Sequence, residues 1–240
     1  VLDADGRTHV ENVSFEVHAG EIVGIAGVQG NGQTELVEAL TGLRKATSGV
    51  IALDGKDLTH SNPRERHQMG MAHIPEDRQR QGLVGGLSVA ENLVLTRYHD
   101  DQFSHGVIVD WEAADAIAET LISEYDIRTP NKETGVGTLS GGNQQKVSVS
   151  KWLAAETRIL IIDEPTVGVD VRTKASFHEL ITELANEGLS IILISSDLAE
   201  MVAVADRILV MRRYEFVGDL DNSKDYQSMS RSIMNSIHSN

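Results

Sequence analysis

The stretch GVQGNGQT, Gly27 to Thr34, has the spacing of a phosphate-binding loop, G-x-x-x-x-G-K-[ST], with Gln33 in the place of the lysine. Before it runs EIVGIAG (Glu21 to Gly27), nearly continuous in apolar residues, as expected of a strand buried on both faces. After it, Thr34 to Leu43 sets Leu36, Val37 and Leu40 on one helical face. In a strand–loop–helix setting, glycines let backbone N–H groups converge on phosphate oxygens at a helix N-terminus. Gly27, Gly30, Asn31, Gly32, Gln33 and Thr34 are therefore the candidate phosphate-binding residues, and the Thr34 hydroxyl is placed to reach Mg²⁺.

Outward from this loop the pattern repeats. HVENVSFEV (His9 to Val17) alternates at Val13, Phe15 and Val17, predicting a half-buried strand. GVIALDGKDL (Gly49 to Leu58) reads as strand, Asp-Gly turn and return strand, and MAHI (Met71 to Ile74) as a short strand ending at Pro75. RILIID (Arg158 to Asp163), SIILIS (Ser190 to Ser195) and RILVM (Arg207 to Met211) are further apolar strands, with a helix from about Arg172 to Asn186. Strands alternating with helices predict a parallel α/β sheet with right-handed crossovers. Between Glu76 and about Ser150 helical periodicity takes over. Trp111, Ala114, Ala118, Leu121, Ile122 and Tyr125 form one apolar stripe, with Asp110 as its cap. The tail from Asn222 is polar, Ser-rich and weakly helical.

Bulk composition narrows the function classes. Lys+Arg 21 against Asp+Glu 36 leaves a net charge of −15, which argues against a broad nucleic-acid-binding face. With Cys 0, there are no disulfides, thiol nucleophiles or cysteine metal sites, and a reducing compartment suits the chain. No apolar run approaches the roughly 20 residues of a membrane-spanning helix, so membrane association is expected to go through a partner. The opening Val1, without an initiator Met or a leader, reads as the start of a piece cut from a longer polypeptide.

Two further motifs carry chemistry. LIIDEPT (Leu160 to Thr166) ends a buried strand in two adjacent carboxylates. Asp163 is the candidate Mg²⁺ ligand, and Glu164 the candidate general base toward an attacking water. LSGGNQQ (Leu139 to Gln145) opens a helix with Ser140, Gly141 and Gly142, a second anion-binding N-terminus. One subunit has no evident need for two such loops on one nucleotide. A domain that pairs head-to-tail does, because its second loop closes over the partner's γ-phosphate.

Together these motifs resemble the nucleotide-binding domain of ATP-binding cassette (ABC) proteins, over essentially the whole chain. GVQGNGQT resembles the Walker A motif, LSGGNQQ the signature motif, LIIDEPT Walker B and VGVD (Val167 to Asp170) the D-loop. The longer forms LSGGNQQK, GNGQTEL and HIPEDRQRQGL are similar to the C-terminal cassette of tandem ATPases that energise bacterial importers of simple sugars, with nucleoside importers close by. The resemblance implies one ABC ATPase domain over 1–240 with a P-loop NTPase (RecA-like) core. That core comprises 1–76 and 151–221, with an N-terminal antiparallel β subdomain. A helical subdomain spans 77–150, and a tail 222–240. It also implies ATP and Mg²⁺ as cofactors, and Ser140, Gly141, Gly142 and Gln144 as nucleotide-binding residues. The implied partners are an N-terminal cassette of the same chain, membrane permease subunits and, indirectly, an extracytoplasmic binding protein, but no nucleic acid. The implied location is the cytoplasmic face of the plasma membrane.

Three positions depart from the family pattern. Gln33 replaces the Walker A lysine, Glu76 stands at the Q-loop glutamine beside Mg²⁺, and Ser196 in ISSDL stands at the catalytic switch histidine. All three belong to the side of a composite site that this chain's own phosphate loop supplies. Mg-nucleotide binding is expected to survive and hydrolysis in this half to be weak or absent, while the signature loop completes the partner's site. The aromatic that stacks on adenine in this family has no counterpart near Val1. Competing readings are a soluble ABC ATPase of translation or DNA repair, which the acidic balance disfavours, and a nucleotide-binding or docking module that never hydrolyses. A kinase or GTPase leaves LSGGNQQ unexplained.

Overall fold

The computed structural model describes residue 1 and residues 9–98, 100, 103–105 and 108–238. The chain runs β1 (Ile22–Gly27), α1 (Gln33–Thr41), β2 (Ala52–Leu53), β3 (Lys56–Asp57), α2 (Pro63–Gln68) and β4 (Met71–Ile74). It continues through α3 (Val89–Val94), β5 (Ser104–His105), β6 (Ile108–Val109), α4 (Trp111–Glu124) and α5 (Gly141–Leu153). It closes with β7 (Ile159–Asp163), α6 (Val171–Asn186), β8 (Ser190–Ile194), α7 (Leu198–Val204), β9 (Arg207–Arg212), β10 (Glu215–Asp221) and α8 (Tyr226–His238). Two compact units result: Val1–His73 with Arg158–Glu164 and Phe177–Asn240, and Ile74–Thr157 with Pro165–Ser176.

The six-stranded sheet has the order β10-β9-β1-β8-β7-β4. β1 pairs in parallel with both β8 and β9, and β7 in parallel with β8. The apolar runs read as strands in the sequence are the buried central ones: Val23, Ile161, Ile191 and Leu193 expose essentially nothing to solvent. This is the doubly covered parallel sheet that such runs demand.

Three elements differ from the sequence reading. His9 to Val17 keeps its alternation, with Val13, Phe15 and Val17 packed against the core, but no ladder forms there among the described residues. The strand–turn–strand expected at Gly49 to Leu58 is the two-residue hairpin β2–β3, turning at Asp54 and Gly55 with φ of 49° and 74°. β10 was not anticipated. It returns antiparallel to β9 through Arg213 and Tyr214, whose φ values of 48° and 73° are left-handed without glycine or asparagine to signal a turn. The tail forms a firm helix, α8, that buries Met229 and Ile233.

The second unit has its own core, in which Val89, Leu93, Ala118, Leu121, Val136 and Val147 pack together. The stripe on α4 buries Ala114, Ala118 and Leu121, and Asp110 caps it by accepting from the Ala113 N–H at 3.0 Å. Trp111 departs from the expectation: at the helix start, it is 55% exposed. Among the described residues no helix is long and apolar enough to cross a membrane.

Arg66 of α2 holds the phosphate-loop helix from behind. It is 2% exposed, donates Nη1 to the carbonyls of Ala39 and Leu40 at the C-terminal end of α1, and reaches the Thr59 carbonyl through Nη2 at 3.2 Å. A cation at a helix C-terminus satisfies both the orphan carbonyls and the helix dipole. Arg66→Met should therefore cost about 2–4 kcal/mol in urea unfolding, because it strands several buried carbonyls at once.

His73 of β4 supplies a pH handle. Its Nε2 is out of solvent with no hydrogen-bond partner, and burial holds its pKa down at about 4 from 6.5. The fold therefore favours the neutral ring, and its full stability is present above the unfolded pKa. As pH falls from about 6.5 to about 4 the unfolded chain binds the extra proton, and stability should drop by up to about 3 kcal/mol. His73→Phe should flatten that part of the stability–pH curve, measured by urea melts at each pH.

Candidate functional site

Parallel pairing sends β1, β8 and β7 to one edge of the sheet, and each hands its candidate residues over at its C-terminal end. Ile25 lies opposite Ile194, and Ile194 opposite Asp163. The phosphate loop leaves β1 at Gly27, Ser196 follows β8, and Glu164 follows β7. This is the crevice at strand C-termini where open α/β sheets take ligands.

The loop closes on α1 at Gly32, which caps the helix with φ 108° and offers no side chain to its first turn. The N–H groups of that turn are thus free of a side-chain cap, as an anion-binding N-terminus requires. No other residue fits at Gly32. The conformation is left-handed, and a Cβ would lie 2.3 Å from the His9 carbonyl oxygen and 3.1 Å from the Tyr214 ring. Thr34 is exposed, leaving its hydroxyl available.

Asn31 braces the loop. Its Nδ2 donates to the Val28 carbonyl at 2.7 Å, and its Oδ1 accepts from the Arg213 N–H at 2.8 Å. Its own carbonyl accepts from the Tyr214 N–H at 3.0 Å. One residue thereby ties the loop to the β9–β10 turn and stabilises the left-handed pair in it. Neither this role nor the partners His9, Glu35 and Tyr214 was visible in the sequence. The His9 imidazole meets the Glu35 carboxylate at 3.0 Å and the Tyr214 ring edge-on at 5.3 Å between centroids.

Gln33 is turned inward. It is 9% exposed, and its Nε2 donates at 3.4 Å to the Val28 carbonyl, across the loop. The amide packs so closely on Gly27 that a Cβ there would lie 2.4 Å from Nε2. Its Oε1 is buried without a partner. The backbone cradle fits a phosphate. The side chain at its centre carries an uncharged amide with an orphaned acceptor where an ammonium would face the anion.

Glu164 and Ser196 meet directly. Glu164 adopts φ 45°, and its N–H donates to the Ile194 carbonyl at 2.9 Å. Its Oε1 accepts from the Ser196 N–H at 2.6 Å and its Oε2 from the Ser196 hydroxyl at 3.1 Å. The loop bearing Ser196 is anchored by its neighbour: Ser195 donates its hydroxyl to Glu200 Oε2 at 2.6 Å, and Glu200 Oε1 meets His178 Nε2 at 2.8 Å. Glu200 is 2% exposed, so its carboxyl is held by hydrogen bonds inside the fold. Asp163 ends β7 half-buried.

Glu76, Ser140, Gly141, Gly142 and Gln144 belong to the second unit. Glu76 is exposed. Ser140 caps α5, its Oγ accepting from Asn143 Nδ2 at 3.0 Å. Gln144 turns inward instead of lining the loop, donating Nε2 to the Leu139 carbonyl at 3.2 Å and reaching Val136 and Gly137 at 3.4 Å. It shapes the turn that precedes Ser140. Gly142 rests on Thr173, whose Oγ1 would lie 2.7 Å from a Cβ there. Thr173 is fixed in turn by Asp170, whose Oδ2 accepts from its hydroxyl at 2.7 Å. That hydroxyl holds the Asp170 carboxyl below the usual carboxylate range.

Among the described residues no three His, Cys, Asp or Glu side chains converge as a metal cage.

Comparison with known proteins agrees with this fold. The family described as ABC transporter matches residues 10–167. A putative ribose/galactose/methyl galactoside import ATP-binding protein of Pseudomonas fluorescens is 42% identical over 90% of this chain and 42% of its own length. The ribose import ATP-binding protein RbsA of Lactococcus lactis subsp. cremoris is 42% identical over 90% of this chain and 44% of its own. The chain thus spans less than half the length of these relatives. Among solved structures, a nucleotide-free ATP-binding cassette from an ABC transporter superposes with a TM-score of 0.79, 19% identity and coverage of 95% and 92% of the two chains. An ADP-conformation cassette of an ABC transporter gives 0.77 at 19% identity, covering 95% and 91%. These structures share the fold of a P-loop α/β sheet.

Gly32→Ala tests the cradle. It should weaken Mg-ADP binding by about a hundredfold in titration calorimetry, since left-handed strain and the clash with the His9 carbonyl both fall on the loop.

Proposed function

Because the chain belongs to the ABC transporter family, we propose that it is one ATP-binding cassette of an importer of simple sugars, coupling the binding and hydrolysis of ATP to uptake. The observation that carries the reading is the convergence of the phosphate loop, Asp163, Glu164 and Ser196 on one edge of the sheet, from adjacent parallel strands. The sugar class rests on the named activities of the relatives and on the longer motif forms. A nucleoside importer of the same family is the nearest alternative substrate class.

In this reading ATP is held by the first-turn N–H groups of α1 and by Gly30 and Gly32, and Thr34 and Asp163 are the groups that would hold Mg²⁺. Bound Mg²⁺ would neutralise phosphate charge. Glu164 orients and deprotonates the attacking water, and Ser196 holds its carboxylate through an N–H and a hydroxyl. The hydroxyl is uncharged, so Ser196 positions Glu164 without supplying a cation to the γ-phosphate. Gln33 supplies none either. The local site therefore binds nucleotide and turns it over slowly, while Ser140 and Gly141 act on nucleotide held by a partner cassette. We place that partner in the same polypeptide, ahead of this cassette, with permease subunits at the inner face of the membrane and an extracytoplasmic binding protein selecting the cargo. The inward Gln33 also favours a second reading, a cassette that binds nucleotide and docks but never hydrolyses it.

Steady-state ATPase rates in the assembled transporter separate these readings. Gly141→Trp should reduce transport-linked turnover by about a hundredfold or more, because bulk there blocks backbone approach to the partner's γ-phosphate. Glu164→Gln should cost much less, since it serves a site already short of its cation. Gln33→Lys should tighten local nucleotide binding by about ten- to a hundredfold without restoring fast hydrolysis. Equal damage from Glu164→Gln and Gly141→Trp would make the local site catalytic. A fully silent Glu164→Gln, with no turnover by the local site in single-turnover assays, would favour the docking reading.

A further inference from the structure

The segment HIPEDRQRQGL contains Arg78, which has had no role so far. We propose that Arg78 is a positioning residue that locks the signature loop to the D-loop, so that both are presented to the partner cassette as one rigid surface. The inference rests on the reading that the signature loop acts in trans.

The geometry is specific. Arg78 Nη1 donates to the Val167 carbonyl at 3.2 Å, in the D-loop. Its Nη2 lies 3.0 Å from where a Cβ of Gly141 would sit and 4.0 Å from that of Gly168. The guanidinium is thus wedged between the first residue of α5 and the loop that leads into α6. A planar fork can bond one loop while its face and edge pack on the other, which a lysine ammonium cannot do.

Both loops are fixed on their far sides as well. Gly142 packs on Thr173, and Asp170 caps the start of α6 by accepting from the Arg172 and Thr173 N–H groups at 3.0 and 3.1 Å. Arg78 begins the turn of π-helix Arg78–Gly82, whose start is tied by Asp77 Oδ1 accepting from Gln79 and Arg80 N–H groups at 3.1 Å. The end of that turn is held to α5, where the buried Lys151 donates to the Gly82 carbonyl. Single π-helical turns are rare and concentrate at functional sites. The Arg78 side chain therefore projects from a base anchored at both ends.

One detail argues that stability alone does not explain this placement. Arg78 Nε is out of solvent and has no hydrogen-bond partner. A buried orphan donor on a cationic side chain calls for a reason beyond packing. Holding two loops in register, with the adjacent Glu76 in the same segment, supplies one.

The test uses the full-length protein assembled with its permease subunits, and measures ATP turnover, local nucleotide affinity with a fluorescent ATP analogue, and thermal unfolding. Arg78→Ala should lower transport-linked kcat by at least about tenfold, with KM, local affinity and melting temperature nearly unchanged. Arg78→Lys should remain close to Arg78→Ala, because charge without the fork does not bridge the loops. Gly141→Trp is run beside them. If Gly141→Trp abolishes turnover while Arg78→Ala stays within about twofold of the parent, the inference is wrong and the trans reading stands. If Gly141→Trp is itself harmless, the trans reading fails. Full rescue by lysine, or a loss of turnover matched by equal losses in local affinity and melting temperature, would also overturn the positioning role.

Discussion

Where β1 stops decides what the first unit can do. The strand is hydrogen-bonded on both sides, to β8 and β9, and its apolar side chains are buried on both faces, so it cannot slide without breaking two ladders. Its end at Gly27 fixes the departure of the phosphate loop. The parallel register then fixes where Asp163, Glu164 and Ser196 emerge. Three segments far apart in the chain, the phosphate loop, Asp163 with Glu164, and Ser196, meet at one edge because the hydrogen-bond ladders leave them no alternative.

The loop itself is held from both ends of its helix. Behind α1, the buried Arg66 satisfies the C-terminal carbonyls; in front, Asn31 ties the loop to the β9–β10 turn. A loop fixed in this way presents its backbone N–H groups without having to order them when an anion arrives, which is the advantage of preorganisation. The same rigidity explains why the side chain of Gln33 can fold back on Gly27 without disturbing the cradle. In the proposed reading the backbone provides the anion site, and the missing charge lowers its strength without changing its shape.

The second unit organises its motifs by the same economy. Ser140 caps α5, Gln144 shapes the turn before it, and Arg78 and Thr173 pack against two successive glycines. A small residue at Gly142 is needed because the Thr173 side chain occupies the space a Cβ would take, and at Gly141 the Arg78 guanidinium comes close to that space. Close packing, rather than flexibility, is the local reason for the glycine pair.

The sheet core was legible in the sequence because burial on both faces leaves a strong signature: nearly continuous apolar runs at β1, β7, β8 and β9, each followed by a loop or helix. The fold class followed from that alternation, and the Gly27–Thr34 loop was correctly set between a buried strand and a helix. β10 was not legible, because its turn at Arg213 and Tyr214 carries no glycine or asparagine and is stabilised instead by Asn31, distant in sequence. Likewise, the tail looked weakly helical because its helix is stabilised by burying Met229 and Ile233, not by local propensity. The identities of Gln33, Glu76 and Ser196 were plain from the chain alone. That Gln33 turns inward, that Ser196 grips Glu164, and that Arg78 stands between two loops depended on contacts between residues far apart in sequence. Local pattern reports what a segment can bury; only tertiary packing decides which side chains share a space, because that choice is made by neighbours the segment does not contain.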